Sequence, residues 1–196
     1  MDGDAGNFQV RFTAFLQEHL SLFCVPQHKE KVYQALSFML IYLLFDTADR
    51  RYDVKMEQDD SFGRTDITAH PRMPDCLVSL VFKIKRVATH GKICGKRTLK
   101  SADCLRTELK CAVDDALQQI QLRQYRARAP LHTRKIHEYG LAFAGKFCVV
   151  AVRTFQREID AGDWVELDRG TPVVPKDISE TDLVGDDSDD DMDVDE

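Results

Sequence analysis

Apolar residues recur every three or four positions in the first part of the chain, at Phe8, Phe12, Phe15, Leu16, Leu20 and Phe23. That spacing predicts an amphipathic N-terminal helix over 8–23. Pro26 separates it from a second predicted helix over 28–45, whose apolar second half calls for burial on most sides. After a polar turn at 46–51 the period drops to two. Positions 52–57 and 64–69 alternate as half-buried strands do, with an acidic loop at 58–62 between them. Two prolines mark 70–75 as a loop. The run Cys76-Leu-Val-Ser-Leu-Val-Phe82 then continues to Arg86 and predicts a buried central strand.

Positions 88–100 contain glycines, carry several basic residues and show no period, so a loop is expected there. A long helix is predicted over 102–126, with Leu105, Leu109, Ala112, Val113, Ala116, Leu117 and Ile120 as its apolar stripe. Pro130 ends that segment. Two strands follow at 135–144 and 147–155, joined by a turn at Ala144-Gly145-Lys146, and a short strand is expected at 164–167. No internal repeat is present. After the N-terminal helix the order is helix, strand, strand, strand, helix, strand.

At 196 residues the chain has the length of one domain with tails: a short N-terminal end at 1–7, a body at 8–170 and a disordered acidic tail at 171–196. The formal net charge of -6 hides an asymmetry. Asp186 to Glu196 holds eight acidic residues and no basic one, so the rest of the chain carries +2. Lys83 to Lys110 holds nine Lys or Arg against Asp103 and Glu108, and 121–137 holds five with no acid. Clusters of this kind suit phosphate backbones, although a solvated helix face gives the same pattern. Lys83, Lys92, Lys96, Arg97, Lys100, Arg123 and Arg126 are the candidate nucleic-acid contacts. The tail can compete for that basic surface, bind a basic partner or serve solubility alone, and Ser188 within it has the surroundings of an acidophilic kinase site.

Several chemistries find no support. The six cysteines form no C-x-x-C pair, and their spacing does not suggest a disulfide framework. His90 and Cys94 are four apart, a weak basis for zinc. Gly91 to Thr98 falls short of a phosphate-binding loop, with three residues between the glycines instead of four and Arg97 at the hydroxyl position. No Ser/His/Asp or Cys/His signature is present. The N-terminus is acidic without an apolar leader, and the run from Ala35 to Phe45 is too short for a bilayer. Cytoplasm or nucleus is the expected location, with no membrane association.

The stretch from Gly63 to Lys85 brings these elements to one point. It places Asp66 on one strand and Lys83 and Lys85 on the next, and residues two apart on a strand share a face. This arrangement resembles the PD-(D/E)xK nuclease superfamily, in which a hairpin carries Asp on one strand and Glu-x-Lys on the next. It is similar in particular to the branch that often follows AAA-ATPase-like domains. The pieces here are Glu57, Gly63-Arg-Thr-Asp66-Ile, Ala116-Leu-Gln-Gln119-Ile, Tyr125 and Tyr139-Gly-Leu-Ala-Phe-Ala-Gly-Lys146. The resemblance covers roughly Glu30 to Phe155. It implies an α/β fold, a restriction-endonuclease-like αβββαβ core with a mixed central sheet flanked by helices, plus the N-terminal helix.

The resemblance also implies a site. Asp66 is the expected ligand for Mg²⁺ or Mn²⁺, helped by Glu30 from the second helix and by Glu57. Lys85 is the expected catalytic lysine, with Gln119 and Tyr125 near the scissile phosphate. An ATPase-like partner acting in trans is a further implication. Each residue has a plainer role open to it: Asp66 paired with Arg64, Glu30 favouring a helix N-terminus, Gln119 and Tyr125 as helix-surface groups. One position departs from the pattern, since Lys83 stands where the family has Glu. An ammonium cannot ligate a cation, and it repels one beside Lys85. Either Lys83 fills the metal's place and neutralises Asp66 and Glu30, or an acid has migrated to Glu57, Asp59 or Asp60.

Overall fold

The computed structural model describes residues 7–8, 10–12, 14, 51–58, 65–93, 96–144, 147–158, 162–172 and 174. Most of the two predicted N-terminal helices, the 58–62 loop beyond Gln58, Gly63, Arg64, the 145–146 turn, Glu30 and the acidic tail lie outside the described residues, as do the side chains of Glu57, Lys92 and Arg97.

Among the described residues six strands form one mixed sheet. They are β1 (Tyr52–Gln58), β2 (Thr65–Pro71), β3 (Val78–Arg86), β6 (Lys135–Ala144), β7 (Phe147–Arg157) and β8 (Trp164–Arg169), hydrogen-bonded in that order. Only β3 and β6 pair in parallel; the other neighbours are antiparallel. Helix α1 (Ala102–Leu122) makes the crossover that a parallel pair requires. The strand–strand–strand–helix–strand order and the mixed sheet match the restriction-endonuclease-like architecture expected from the pattern.

The position 88–100 is not a loop. It folds into a hairpin of β4 (His90–Ile93) and β5 (Lys96–Leu99), which forms a two-stranded sheet of its own. Glycines and interspersed lysines hid the alternation, because a ribbon outside the core need not alternate apolar with polar. Helix α1 also ends earlier than the periodicity suggests. Gln124 takes a left-handed conformation with φ of 50°, and a 3-10 turn follows over Tyr125–Arg128.

The sheet is apolar on both faces. On one face Ile67, Leu80, Phe82, Ile84, Tyr139 and Val150 pack together, joined by Phe8 and Phe12 from the helical N-terminal residues. Phe8 stacks on Phe12 and leans on Tyr139, so the aromatic spacing of that segment does meet the sheet. On the other face Val81, Ile136, Ala142, Val149 and Ala151 receive the α1 stripe of Leu105, Leu109, Val113, Leu117 and Ile120. Strands β6 and β7, buried on both faces, are accordingly near-continuous apolar runs. Ser101 caps α1 by accepting a hydrogen bond from the Cys104 N–H.

Candidate functional site

Asp66, Lys83 and Lys85 emerge on the α1 face of the sheet. The antiparallel β2–β3 register, with Ile67 opposite Phe82, brings Asp66 beside Lys83. Lys83 Nζ lies 3.0 Å from Asp66 Oδ1, and the Ile84 N–H donates to Oδ2 at 2.6 Å. Both carboxylate oxygens are therefore engaged. The side chains are 13% and 6% exposed, which makes this a buried pair rather than a surface contact.

Lys85 follows on the same face, half-buried. Burial holds its ammonium below the usual lysine range, and Lys83 pushes in the same direction, while Asp115 and Asp66 oppose the shift. Asp115, exposed on α1, thus acts electrostatically on Lys85, which the sequence reading did not anticipate. Its signal was available: Asp115 stands four residues before Gln119, one helical turn away. Gln119 is half-buried on α1.

Tyr125 is buried on the 3-10 turn. Burial raises its phenol, and both Arg123 and Asp66 act on it electrostatically, Arg123 lowering and Asp66 raising. Tyr125 packs in the apolar core on the α1 face of the sheet. Asp66 thus acts electrostatically on both Lys85 and Tyr125.

The other candidate contacts differ in their surroundings. Arg126 turns inward: its Nε lies 2.7 Å from Glu138 Oε1, and its guanidinium stacks 3.7 Å from the Phe155 ring centroid. Its side chain is 18% exposed. Glu138 is fully buried, and its carboxyl is pushed up to about 7 by burial, against the pull of Arg126 and Arg153. The Arg126 contact is an ion pair without aligned hydrogen-bond geometry, which fits a carboxylate only partly compensated. Lys100 pairs with Glu108 at 2.6 Å. Arg123 and Lys96 are exposed.

The donor set bears on a metal. A hard divalent cation wants several carboxylate oxygens. Here the ammonium of Lys83 sits on Asp66, and among the described residues no three His, Cys, Asp or Glu side chains converge. These described residues do not fit Mg²⁺ or Mn²⁺. His70 Nδ1 lies 3.0 Å from Ser79 Oγ, but Ser79 is fully buried and also shares a contact with Thr133 Oγ1 at 3.2 Å.

The family model described as the PD-(D/E)XK nuclease superfamily matches residues 28–152. The chain belongs to the PD-(D/E)XK nuclease superfamily. No curated protein and no solved structure matches the chain. Asp66 on β2 and Lys83-Ile84-Lys85 on β3 both lie within the matched residues. Among the described residues no helix is long and apolar enough to cross a membrane.

Proposed function

We propose that this PD-(D/E)XK domain binds nucleic acid, with DNA as its partner, and that Lys83 has taken the metal's place so that it does not hydrolyse phosphodiesters. The observation that carries the reading is the buried pair of Lys83 Nζ and Asp66 Oδ1 at 3.0 Å. A cation already supplied by the chain neutralises the motif acid. Lys85 then remains as a partly exposed positive group at the mouth of the site, suited to a phosphate oxygen. The basic surroundings supply the rest of the attraction.

The finer parts of the reading rest on sequence. Gly63-Arg-Thr-Asp66-Ile and Ala116-Leu-Gln-Gln119-Ile favour the branch associated with AAA-ATPase-like domains, with such an ATPase as a partner in trans. Cytoplasm or nucleus is the proposed location.

The test is nicking of supercoiled plasmid with Mg²⁺ or Mn²⁺, run beside duplex binding. The wild type should bind and not nick. Nicking that Asp66→Ala abolishes would overturn the non-catalytic reading and point to Glu30 or Glu57 as the replacement acid. Lys83→Glu should gain Mn²⁺ binding, because it exchanges the resident ammonium for a ligand.

A further inference from the structure

Between the 3-10 turn and β6 the chain makes one tight turn at 130–134, and nothing in the candidate site uses it. It carries Leu131, 90% exposed, the most exposed of the large apolar side chains among the described residues. A lone apolar side chain on a loose loop would mean little, but this turn is braced. The Thr133 N–H donates to the Pro130 carbonyl at 2.9 Å, and Thr133 itself is fully buried. The Arg134 and Lys135 N–H groups both donate to the Leu77 carbonyl, at 2.8 and 3.0 Å. The Arg157 guanidinium, seated 4.5 Å over the Trp164 ring, donates to the carbonyls of Leu131 at 2.8 Å and Pro130 at 3.3 Å. Leu131 is thus held out in solvent by a backbone that is already fixed.

The setting is cationic. No acid stands between Asp115 and Glu138, whereas Arg123, Arg126, Arg128, Arg134 and Lys135 do. Arg126 is taken by Glu138. Arg134 is exposed, and Arg128 and Lys135 are half-buried, so a cation flanks Leu131 three residues away on either side. The exposed acids on the adjoining connections, Asp75 and Glu158, confine that cationic face to the turn itself. In the parallel β3–β6 register Lys135 stands beside Val78 and Lys85 beside Ala142. Val78 and Lys85 are seven residues apart on β3. At about 3.3 Å per residue that is about 23 Å, a span that a single duplex covers.

We propose that Leu131 is a wedge for duplex DNA: it enters the minor groove and slides between two base pairs, while Arg134 holds a flanking phosphate. Three physical points select this partner. First, an apolar side chain between cations matches a base step between phosphates, and a leucine of this kind can unstack such a step and kink the duplex. The braced turn has no conformational freedom left to lose, so the unstacking is the main cost of entry. Second, single strands are gripped by aromatic stacking platforms, and Tyr125, the one aromatic ring of Phe, Tyr or Trp in 121–137, is buried. Third, duplex RNA presents a wide, shallow minor groove that is recognised by its shape and its 2′-hydroxyls, for which a leucine has no donor or acceptor. The proposal rests on the nucleic-acid-binding reading above and adds to it the inserting residue, the groove and the class of duplex.

The experiment uses the full chain and a short DNA duplex that contains TpA steps, which kink readily. Anisotropy across a salt series reads binding, energy transfer between dyes at the two ends reads the kink, and 2-aminopurine beside the TpA steps reads unstacking. The matching single strand and a duplex of RNA are run in parallel by anisotropy. The wild type should prefer duplex DNA, kink it by about 20° or more and brighten the 2-aminopurine. Leu131→Ala keeps the braced carbonyl; it should bind with an unchanged salt slope and lose both the kink and the brightening. Arg134→Ala should keep the kink and flatten log affinity against log salt by about 0.9, the share of one phosphate contact. Circular dichroism checks that both variants fold. Duplex binding by the wild type without a kink, or a kink that Leu131→Ala retains, would overturn the wedge and leave the broader reading standing. A preference for the single strand or for RNA would overturn it equally. No binding to any of the three probes would overturn the broader reading itself.

Discussion

Gly140 lies against the backbone of Val113: a Cβ built on Gly140 would stand 2.8 Å from the Val113 carbonyl oxygen. Gly140 is also the parallel register partner of Lys83. The absence of a side chain there lets α1 settle directly on β6, next to the strand that bears the lysines. The helix then carries Asp115 close enough to Lys85 to act on its charge.

Gly140→Ala should therefore destabilise the fold and disturb the site together. The new methyl would also come within 3.0 Å of Leu117 Cγ, and the backbone oxygen it meets cannot swing aside. Overpacking of this kind costs about 1–3 kcal/mol. Urea unfolding should show a lower midpoint with an unchanged slope. A midpoint equal to that of the wild type would mean that α1 shifts without resistance.

Lys83→Met should cost more than a surface lysine would. It leaves the carboxylate of Asp66, 6% exposed, without its ammonium partner. Breaking a buried pair from one side costs about 3 kcal/mol or more. Adding Asp66→Asn should recover most of that loss, since the amide oxygen can still accept from the Ile84 N–H. A double-mutant cycle in chemical denaturation measures the coupling. Additive losses would show that the 3.0 Å contact contributes nothing to stability.

Glu138 gives a pH dependence of definite sign. Its carboxyl is raised from 4.5 to about 7 in the folded protein. The native state therefore holds the proton more tightly than the unfolded chain does. Stability from this group is fully present below about 4.5 and is lost as pH rises through about 7. The groups facing it are Arg126, Arg153 and Glu166; the arginines oppose the shift and Glu166 adds to it. The loss amounts to something on the order of 3 kcal/mol. Glu138→Gln should flatten the fall in melting temperature between pH 5 and pH 8. A wild-type curve that rises with pH over that range, and falls on substitution, would reverse the assignment.

Removal of residues 186–196 should tighten duplex binding at low salt and leave it unchanged at high salt. The segment carries eight acidic residues against a body of net +2, and screening removes its competition. Equal affinity of the full and shortened chains at low salt would exclude a self-competing tail.

The central framework was legible in the sequence because strand and helix periods are local. The alternation at 64–69, the apolar run to Phe82 and the α1 stripe predict the elements that now present Asp66, Lys83 and Lys85 on one face. The basic hairpin was not legible, since its glycines and interspersed lysines break the alternation of a strand. The partner of Arg126 was not legible for a related reason. A helix was expected to continue through it, whereas the left-handed Gln124 ends that helix and swings Arg126 onto Glu138.

By itself, then, the sequence determined the order of elements and the family. Only the tertiary structure decided which charges pair. Lys83 and Asp66 are 17 residues apart, and Arg126 and Arg153 reach Glu138 from a separate turn and a neighbouring strand. Such pairings depend on strand register, on the close approach at Gly140 and on the burial that makes charges seek partners. A local pattern records the period of the backbone, while the partner of a long charged side chain is set through space.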